Sequence, residues 1–257
     1  PLAIELAAAR FRILTPRKML KWARKRFQFL SSKNSKTGRQ ATLRGTIDWS
    51  WNLLTAWEQS ALAQLSVFEG GWDMEAMEEV LSLDHLEDSP WPLDVMQSLV
   101  EKSLVRNVQD NRFDLFVSVR EYAAERLEAL EQWDATKQRH AHHFTALGSP
   151  EAIESIYRHG GRDVLFTLNR EFDNLMVALR TGIQREDPDI ALSGLRAIAE
   201  VIEQQGPYGN FSRLAQEVSD TLSLSRAEKG ELLLIQGRMQ RVRGDRALSL
   251  RCLEEAI

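Results

Sequence analysis

Cysteine and long apolar runs are nearly absent from this sequence, and each absence narrows the class of protein. The single thiol, Cys252, can form neither an intrachain disulfide nor a cysteine metal cage, which is typical of a reducing compartment. No apolar stretch approaches the roughly 18–20 residues that a membrane span needs. The first residues carry Glu5 and lack a basic leader, unlike a signal peptide. We therefore expect a cytoplasmic protein that does not contact membranes.

Catalytic and nucleotide-cradling motifs are also missing. The fragment SKTG at 35–38 lacks the G-x-x-x-x-G-K-[ST] pattern of a phosphate loop, and no other Gly-rich nucleotide motif occurs. No G-x-S-x-G or other nucleophile signature accompanies the serines and histidines. We therefore expect that this chain is not an enzyme, with no catalytic residue and no cofactor of its own.

One histidine cluster, RHAHHF at 139–144, contains a pair with metal-ligand spacing. His140 and His143 stand three residues apart, as a zinc pair on a helix can, and His142 lies between them. No cysteine is near, and no carboxylate is obviously placed as a further ligand. We expect a solvated helix face here and no metal site.

Charge is unevenly distributed along the chain. Residues 1–44 hold twelve Lys or Arg against Glu5 alone, a net charge of +11, whereas the whole chain has a net charge of −4. A basic end can meet nucleic acid, or it can cover the acidic body of its own chain. We favour the second interpretation.

The tryptophan-rich stretch IDWSWNLLTAWEQ at 47–59 raises the question of core packing or base stacking. Ile47, Trp51 and Leu54 recur at helical spacing, and Trp49 falls about 160° from Trp51 on the same helix. Two rings on opposite flanks cannot form one stacking platform. The motif Thr55-Ala56-Trp57-Glu58 is a capping box, which predicts a second helix after Thr55. The pattern therefore favours packing between two helices.

Short helices followed by a hairpin are predicted next. The pattern indicates helices to about Phe68, over 73–83 and over 93–101, with Gly70-Gly71 after the first of these. A change to alternating periodicity predicts a β-hairpin over 103–117 with its turn at 109–111. Leu115 and Val117 would share one face, and Phe116 the other. A helix then follows, with these side chains inward: Val119, Tyr122, Ala123, Leu127 and Leu130.

This order of elements predicts a winged helix, followed from residue 134 by pairs of helices. DNA-binding winged helices place the helix before the wing in the major groove. That helix here, 93–101, carries Asp94 and Glu101, and its only nearby cation is Lys102, so DNA contact is disfavoured. In the last helix pair, Gly237, Gly244-Asp245, Leu253 and Ala256 stand at tetratricopeptide-like offsets.

The predicted fold class is mainly α: a winged helix with one hairpin, followed by tetratricopeptide-like helical repeats. We divide the chain into a helical remnant at 1–30, a linker at 31–41, a winged helix at 42–133 and a repeat domain at 134–257. The first residue is not Met, and the last apolar pattern stops unfinished. We therefore expect a piece of a longer protein.

Several stretches together resemble one family. They are PLAIELAAAR, TLRGTIDWSWNLLTAWEQSALAQLSVFEGGW, LVEKSLV, VREYAAERL, RHAHHF and EFDNLMVALR. They resemble the segment after the nucleotide-binding core of bacterial STAND-type (NB-ARC-like) signal-transduction ATPases, including LuxR- and SARP-type regulators. The resemblance covers roughly residues 1–223, and the run 42–72 is its most specific part.

The resemblance implies sites that the residues alone would not suggest. Pro1 corresponds to the proline that lies against the adenine of ATP or ADP, with the phosphate-loop domain upstream. In relatives, a polar residue at the end of the wing reaches the ADP phosphate. This chain has LFVSVREYA, so Phe116 and Val117 stand at that sensor position, and neither can hydrogen-bond a phosphate.

Three functions remain open from the sequence. The first is the non-catalytic regulatory and sensor segment of a STAND-type ATPase, in which the winged helix packs on its own nucleotide-binding domain and the repeats bind a protein or small-molecule inducer. The second is a DNA-binding winged-helix transcription factor. The third is a repeat scaffold without a switch. We favour the first.

Overall fold

A computed structural model describes residues 43–84, 86, 90–108, 111–206 and 208–256. The predicted helical remnant at 1–30, the linker at 31–41 and Pro1 lie outside these residues. Within the described part, thirteen α-helices and one two-stranded sheet are present, so the predicted mainly α fold class is confirmed. The helices and the sheet are divided between two compact units.

The first unit includes residues 43–66, 83–107 and 115–131, apart from the residues not described. It contains α1 (Leu43–Asn52), α2 (Ala56–Gln64), α4 (Pro92–Glu101) and α5 (Val117–Ala129). α2 begins at the predicted capping box, in which Thr55 and Glu58 accept each other's backbone N–H groups. α2 packs against both α4 and α5.

Trp51 confirms the predicted inward face of α1. Ile47, Trp51 and Leu54 are each only 7% exposed. The Trp51 ring meets Tyr122 of α5 edge-on, with 5.7 Å between ring centroids, and the Tyr122 hydroxyl donates to Asp48 Oδ1 at 2.7 Å. Trp49, on the opposite flank of α1, is 51% exposed. Trp51 therefore belongs to the core, and the two rings form no common platform.

The wing is a hairpin of β1 (Val105–Val108) and β2 (Arg112–Leu115). Asn111 has a φ of 57°, in keeping with the predicted turn. The prediction that strand structure extends through Val117 is wrong, because Phe116 caps α5 and Val117 opens it. Leu130, expected to point inward, is exposed because α5 ends at Ala129.

The second unit includes residues 67–82, 108–114 and 132–257, apart from the residues not described. α3 (Met74–Val80) is capped by Asp73 and ends three residues before the predicted 83. It packs against α6 (Trp133–Thr145), which also packs against α9 (Phe172–Gln184). Single 3-10 turns follow α2 at Leu65–Val67 and α6 at Ala146–Gly148.

Helix pairs dominate the rest of the second unit, as the sequence predicts. α7 (Pro150–Ser155) and α8 (Gly161–Arg170) lead to α9, which packs along α10 (Pro188–Gln205). α11 (Tyr208–Thr221) follows, and α12 (Arg226–Arg243) packs on α13 (Arg246–Glu255). Gly244 turns the chain between these last two helices at a φ of 90°, where glycine has no Cβ to clash. The tetratricopeptide assignment and the boundaries at 41/42 and 133/134 remain predictions.

Replacing Trp51 with alanine should destabilise the first unit. We expect a loss of roughly 3–5 kcal/mol in the free energy of unfolding, because a large buried ring leaves a cavity against Tyr122. Urea unfolding followed by circular dichroism measures the loss. Trp49→Ala, at an exposed position of the same helix, serves as the control and should change stability little. Equal stability of Trp51→Ala and wild type would contradict the assignment of Trp51 to the core.

Candidate regulatory site

A double-glycine turn before α3 lies very close to Phe113, the second residue of β2. Gly70 and Gly71 have φ values of 75° and 85°, in the left-handed region that side chains disfavour. Trp72 pairs with Phe113 of β2 through two backbone hydrogen bonds of 2.8 and 2.9 Å. A Cβ on Gly71 would lie 2.6 Å from the Phe113 carbonyl oxygen. Glycine at 71 is therefore required by both the backbone angle and the available space.

Arg112 of β2 forms a buried ion pair with Glu171, which lies between α8 and α9. Its two terminal nitrogens bind the two carboxylate oxygens of Glu171, and Nη2 also donates to the Gly70 carbonyl at 3.2 Å. Arg112 is 7% exposed and Glu171 is 4% exposed. Two parallel N–H···O bonds give such a pair a fixed geometry.

Asn174, in the first turn of α9, is fully buried and makes four hydrogen bonds. Its Nδ2 donates to the Gly71 carbonyl and to Glu171 Oε2, both at 2.9 Å. Its Oδ1 accepts from the Glu69 backbone N–H at 2.9 Å and faces His140 Nε2 at 3.2 Å. Every donor and acceptor of this amide is therefore used.

His140 is a buried member of this network, so the prediction of a solvated face is wrong for this residue. The ring packs between Phe68 and Phe144, at centroid distances of 5.3 and 4.6 Å. Because Asn174 directs its oxygen toward Nε2, we assign the proton of the neutral ring to Nε2. Burial lowers the pKa of His140 to about 3, although the Asn174 contact opposes that shift. Among the residues that the structure describes, no group of three or more His, Cys, Asp or Glu side chains is placed to hold a metal ion.

A second arginine completes the charge balance. Arg170 donates from Nε to Glu171 Oε1 at 3.0 Å and from Nη2 to Asp73 Oδ2 at 3.3 Å. Two arginines and two carboxylates therefore neutralise one another around the junction of α8 and α9. These charged groups pair with one another, and we infer that the network holds these elements in register.

Arg112, Glu171 and Asn174 were not predicted from the sequence as site residues, although the sequence contains a signal for two of them. Glu171 and Asn174 stand four residues before the buried Leu175 and Ala178, on the apolar stripe of α9. Polar groups on a buried stripe require hydrogen-bond partners, so the sequence predicts a network but not which residues form it.

The first unit contains the predicted site residues of the wing and its preceding helix. Glu58 is fully buried and accepts hydrogen bonds from Lys102 and Ser98. Burial pushes the pKa of Glu58 upward, but the hydrogen bonds from Lys102, Ser98 and Thr55 outweigh it, and the net pKa is lowered. On α4, Gln97 donates to Glu101 at 2.8 Å. Lys102, at the C-cap of the possible DNA-reading helix, is thus bound to Glu58.

Phe116, the predicted sensor position, is at the surface. It is 51% exposed, and the guanidinium carbon of Arg106 lies 5.0 Å from its ring centroid. Its neighbour Val117 is 44% exposed, so the prediction that Val117 shares the core face with Leu115 is wrong. Exposure agrees with the expectation that Phe116 is turned away from the core. Of the twelve basic residues before position 45, Arg44 lies within the described part, where it pairs with Glu125 of α5 at 2.7 Å.

Comparison with known proteins places residues 54–128 in a family model described as a winged helix-turn-helix domain. The chain carries a winged helix. It is also 35% identical, over 185 residues, to the Mycobacterium tuberculosis H37Rv protein named "Putative HTH-type transcriptional regulator Rv0890c". That match covers 69% of this chain and 20% of the relative, so the chain spans about a fifth of the relative's length.

Two further similarities were found. An uncharacterised protein of the same organism, Rv0894, is 36% identical over 149 residues, which is 56% of this chain and 38% of that protein. A crystal structure of a STAND protein with a tetratricopeptide repeat sensor from Pyrococcus horikoshii aligns over 99% of this chain and 40% of its own. Its TM-score is 0.37 and its sequence identity is 17%.

Neutralising Glu171 should lower the free energy of unfolding. Glu171→Gln leaves the Arg112 guanidinium buried without its carboxylate, and we expect a loss of about 3–5 kcal/mol in the free energy of unfolding. Chemical unfolding measures this loss. The control is Glu154→Gln, which breaks the exposed pair with Arg158 and should cost less than about 1 kcal/mol. Similar losses for the two variants would show that burial of the Arg112 pair has no special importance.

His140 should make stability depend on acid pH. Its pKa is about 3 when folded and about 6.5 when unfolded, so below pH 6.5 the unfolded chain binds a proton that the folded chain does not. Stability is therefore lost as the pH falls from 6.5 toward 3, by up to about 1.4 kcal/mol per pH unit.

The matched variant for this test is His140→Gln, which retains a donor toward Asn174 but does not titrate. Unfolding free energies of both proteins are measured from pH 7.5 to 4.5. As the pH falls, the free energy of unfolding of wild type should decrease relative to that of the variant. A constant difference would mean that His140 is protonated in the folded protein as readily as in the unfolded chain.

Proposed function

We propose that this chain is the non-catalytic regulatory and sensor segment of a STAND-type ATPase that acts as a signalling or transcriptional regulator in the cytoplasm. In this proposal, its winged helix packs on the nucleotide-binding domain of the same protein. The helix pairs receive a protein or small-molecule inducer. ATP or ADP belongs to the preceding domain, and this chain performs no chemistry.

The observation that carries the proposal is the charge of α4 in its folded setting. This helix has two carboxylates, Asp94 and Glu101, and no Lys or Arg. Lys102, at its C-cap, is held by the buried carboxylate of Glu58. Binding to the DNA backbone depends on cations that neutralise phosphates, and α4 supplies acidic groups instead. A winged helix with this surface is better suited to a protein partner.

Phe116 supports the same partner. An exposed aromatic ring beside an arginine is a common composition of protein interfaces, where aromatic residues and Arg are enriched. The family's polar sensor would tie the ADP phosphate to the wing. Because Phe116 cannot do this, we infer that the ADP-bound closed form is less favoured here than in relatives with a polar residue. The deficit is up to about a hundredfold, since one charge-assisted hydrogen bond contributes about 1.5–3 kcal/mol.

A DNA-binding transcription factor is the second candidate. The name of the mycobacterial relative, an HTH-type transcriptional regulator, favours it for the whole protein. The relative is about five times longer than the matched region, so any DNA-binding helix could lie elsewhere in such a protein. The electrostatics of α4 disfavour this role for the present winged helix.

The test is ADP affinity in the full-length protein, measured by isothermal titration calorimetry. Phe116→His restores a hydrogen-bond donor at the wing and should tighten ADP binding by about tenfold or more. Trp49→His, at an equally exposed position of α1, is the control and should leave affinity unchanged. Unchanged ADP affinity for Phe116→His would contradict a nucleotide-facing wing.

A parallel measurement of this chain with duplex DNA separates the two candidates. We expect only weak association, which should disappear at moderate salt because it rests on phosphate neutralisation. Tight binding at physiological salt that is lost in Gln97→Ala, a substitution on the outer face of α4, would instead establish the DNA-binding candidate.

A further inference from the structure

A pocket of about 180 Å³ lies among α11, α12 and α13, the last helices of the second compact unit. A cavity of about 150 Å³ is large enough to hold benzene, so this pocket has room for a ligand with a single ring. All three helices contribute side chains to its lining. The pocket shares no residue with Phe116 or α4, on which the proposed function rests.

The described residues that line this pocket include no charged side chain. Three glutamines, one serine and Cys252 supply polar atoms, and Phe211 and Leu248 supply apolar surface. The thiol of Cys252 is protonated at neutral pH, because burial and the nearby Glu255 raise its pKa. The end of α12 and the start of α13 meet at the Gly244 turn, so their opposite dipoles offset each other. The pocket therefore favours an uncharged ligand, since a charged one would lose its hydration without gaining an opposite charge.

The polar side chains of the pocket have unused hydrogen-bonding capacity. Gln240 Oε1 is buried and has no hydrogen-bond partner among the described residues. The Gln236 amide and the Ser212 hydroxyl likewise make no hydrogen bond with any described residue. Gln216, by contrast, donates from Nε2 to Asp220 Oδ1 at 2.7 Å. Because buried polar atoms are almost always hydrogen-bonded, the unpartnered oxygen of Gln240 calls for a donor.

The two free amides lie next to each other and beside an apolar wall. Gln236 and Gln240 stand four residues apart on α12, so their side chains are neighbours on one face of the helix. The last torsion of a glutamine side chain is soft, and rotation about it presents either the oxygen or the nitrogen of the amide. Phe211, which is 1% exposed, provides a buried aromatic surface in the same pocket. This arrangement matches a ligand with an apolar ring and a group that both donates and accepts hydrogen bonds.

We propose that this pocket binds a small uncharged carboxamide, with its amide group on Gln236 and Gln240 and its apolar ring against Phe211. A carboxamide has two N–H donors and a carbonyl acceptor in one plane. It therefore supplies the donor that Gln240 Oε1 lacks and accepts a hydrogen bond from Gln236. The volume suits a ligand with one ring and is too small for a folded partner.

A ligand in this pocket contacts α11, α12 and α13 at once. α12 packs against both α11 and α13, so a ligand that touches all three helices adds contacts between α11 and α13. Binding should therefore fix the position of α13 more firmly. That this ligand is the inducer received by the helix pairs rests on the proposed function, whereas the binding itself does not.

The experiment uses four probes of nearly the same shape: benzamide, benzoate, benzamidine and acetophenone. Benzamide is uncharged, benzoate is an anion and benzamidine is a cation, while acetophenone keeps the carbonyl but has no N–H donor. Calorimetric titration of this chain should show millimolar or tighter binding of benzamide. Binding of the other three probes should be at least about tenfold weaker, because each leaves a charge or a polar group without a partner.

Two variants test the predicted contacts. Gln240→Met and Gln236→Met remove an amide with little change in side-chain length, and each should weaken benzamide binding by about tenfold. Gln184→Met, at an exposed position of α9 outside the pocket, is the control and should leave the affinity unchanged. Unfolding midpoints verify that each variant is folded.

Cys252, the single cysteine of the chain, provides a second readout because it lines the pocket. Bound benzamide should slow the reaction of this thiol with a maleimide. Absence of benzamide binding at millimolar concentration, equal binding of any other probe, unchanged affinity in both glutamine variants, or binding without protection of Cys252 would each overturn the proposal. These results are independent of ADP affinity in the full-length protein. Failure here and failure of the proposed function are therefore distinguishable.

Discussion

The buried pair of Arg112 and Glu171 is the interaction on which the second unit most depends. Removing two charges from water is expensive, and the structure offsets that cost by giving both groups further hydrogen bonds. Gly70 supplies a carbonyl to Arg112, while Asn174 and Arg170 donate to Glu171. Because the geometry is bidentate, β2 can occupy only one register relative to the start of α9. We infer that the pair fixes the position of β2 more than it adds to the free energy of unfolding.

The first unit also buries a charged group and stabilises it with hydrogen bonds. Glu58 closes a capping box and is also the buried acceptor for Ser98 and Lys102. One carboxylate therefore fixes the start of α2 and the end of α4 together. The same contact holds Lys102, the C-cap residue of α4.

Local patterns made the elements of this fold predictable. Capping residues and apolar spacing located α1, α2 and the hairpin, and Trp51 is buried as its spacing with Ile47 and Leu54 requires. The end of β2 was misplaced because alternation continues through Phe116 and Val117 in the letters, while the backbone turns into α5. The prediction for His140 was wrong because Arg139, His142 and His143 around it are polar, although Ala141 and Phe144 are apolar and buried. Only the packing of α6 places it between Phe68 and Phe144.

The candidate site was less accessible from sequence, since its partners are far apart along the chain. A stretch of residues can show that Asn174 lies on a buried face, but it cannot show that Gly71 and Glu69 supply the hydrogen-bond partners. The motif stretches GGW, RHAHHF and EFDN carried the family resemblance, and the structure gives them a common physical purpose. Residues from each of them meet at one amide side chain.

The large separation in sequence between these hydrogen-bond partners has a consequence for synthesis of the protein. The Glu69 N–H bonds to Asn174, 105 residues later in the chain. At a translation rate of roughly 5–20 residues per second, the double-glycine turn waits on the order of 5–20 seconds on the ribosome for its partner. During that interval the aromatic side chains of Phe68 and Trp72 lack part of their cover. The nascent chain is therefore exposed to chaperones, and to misfolding, until α9 has emerged.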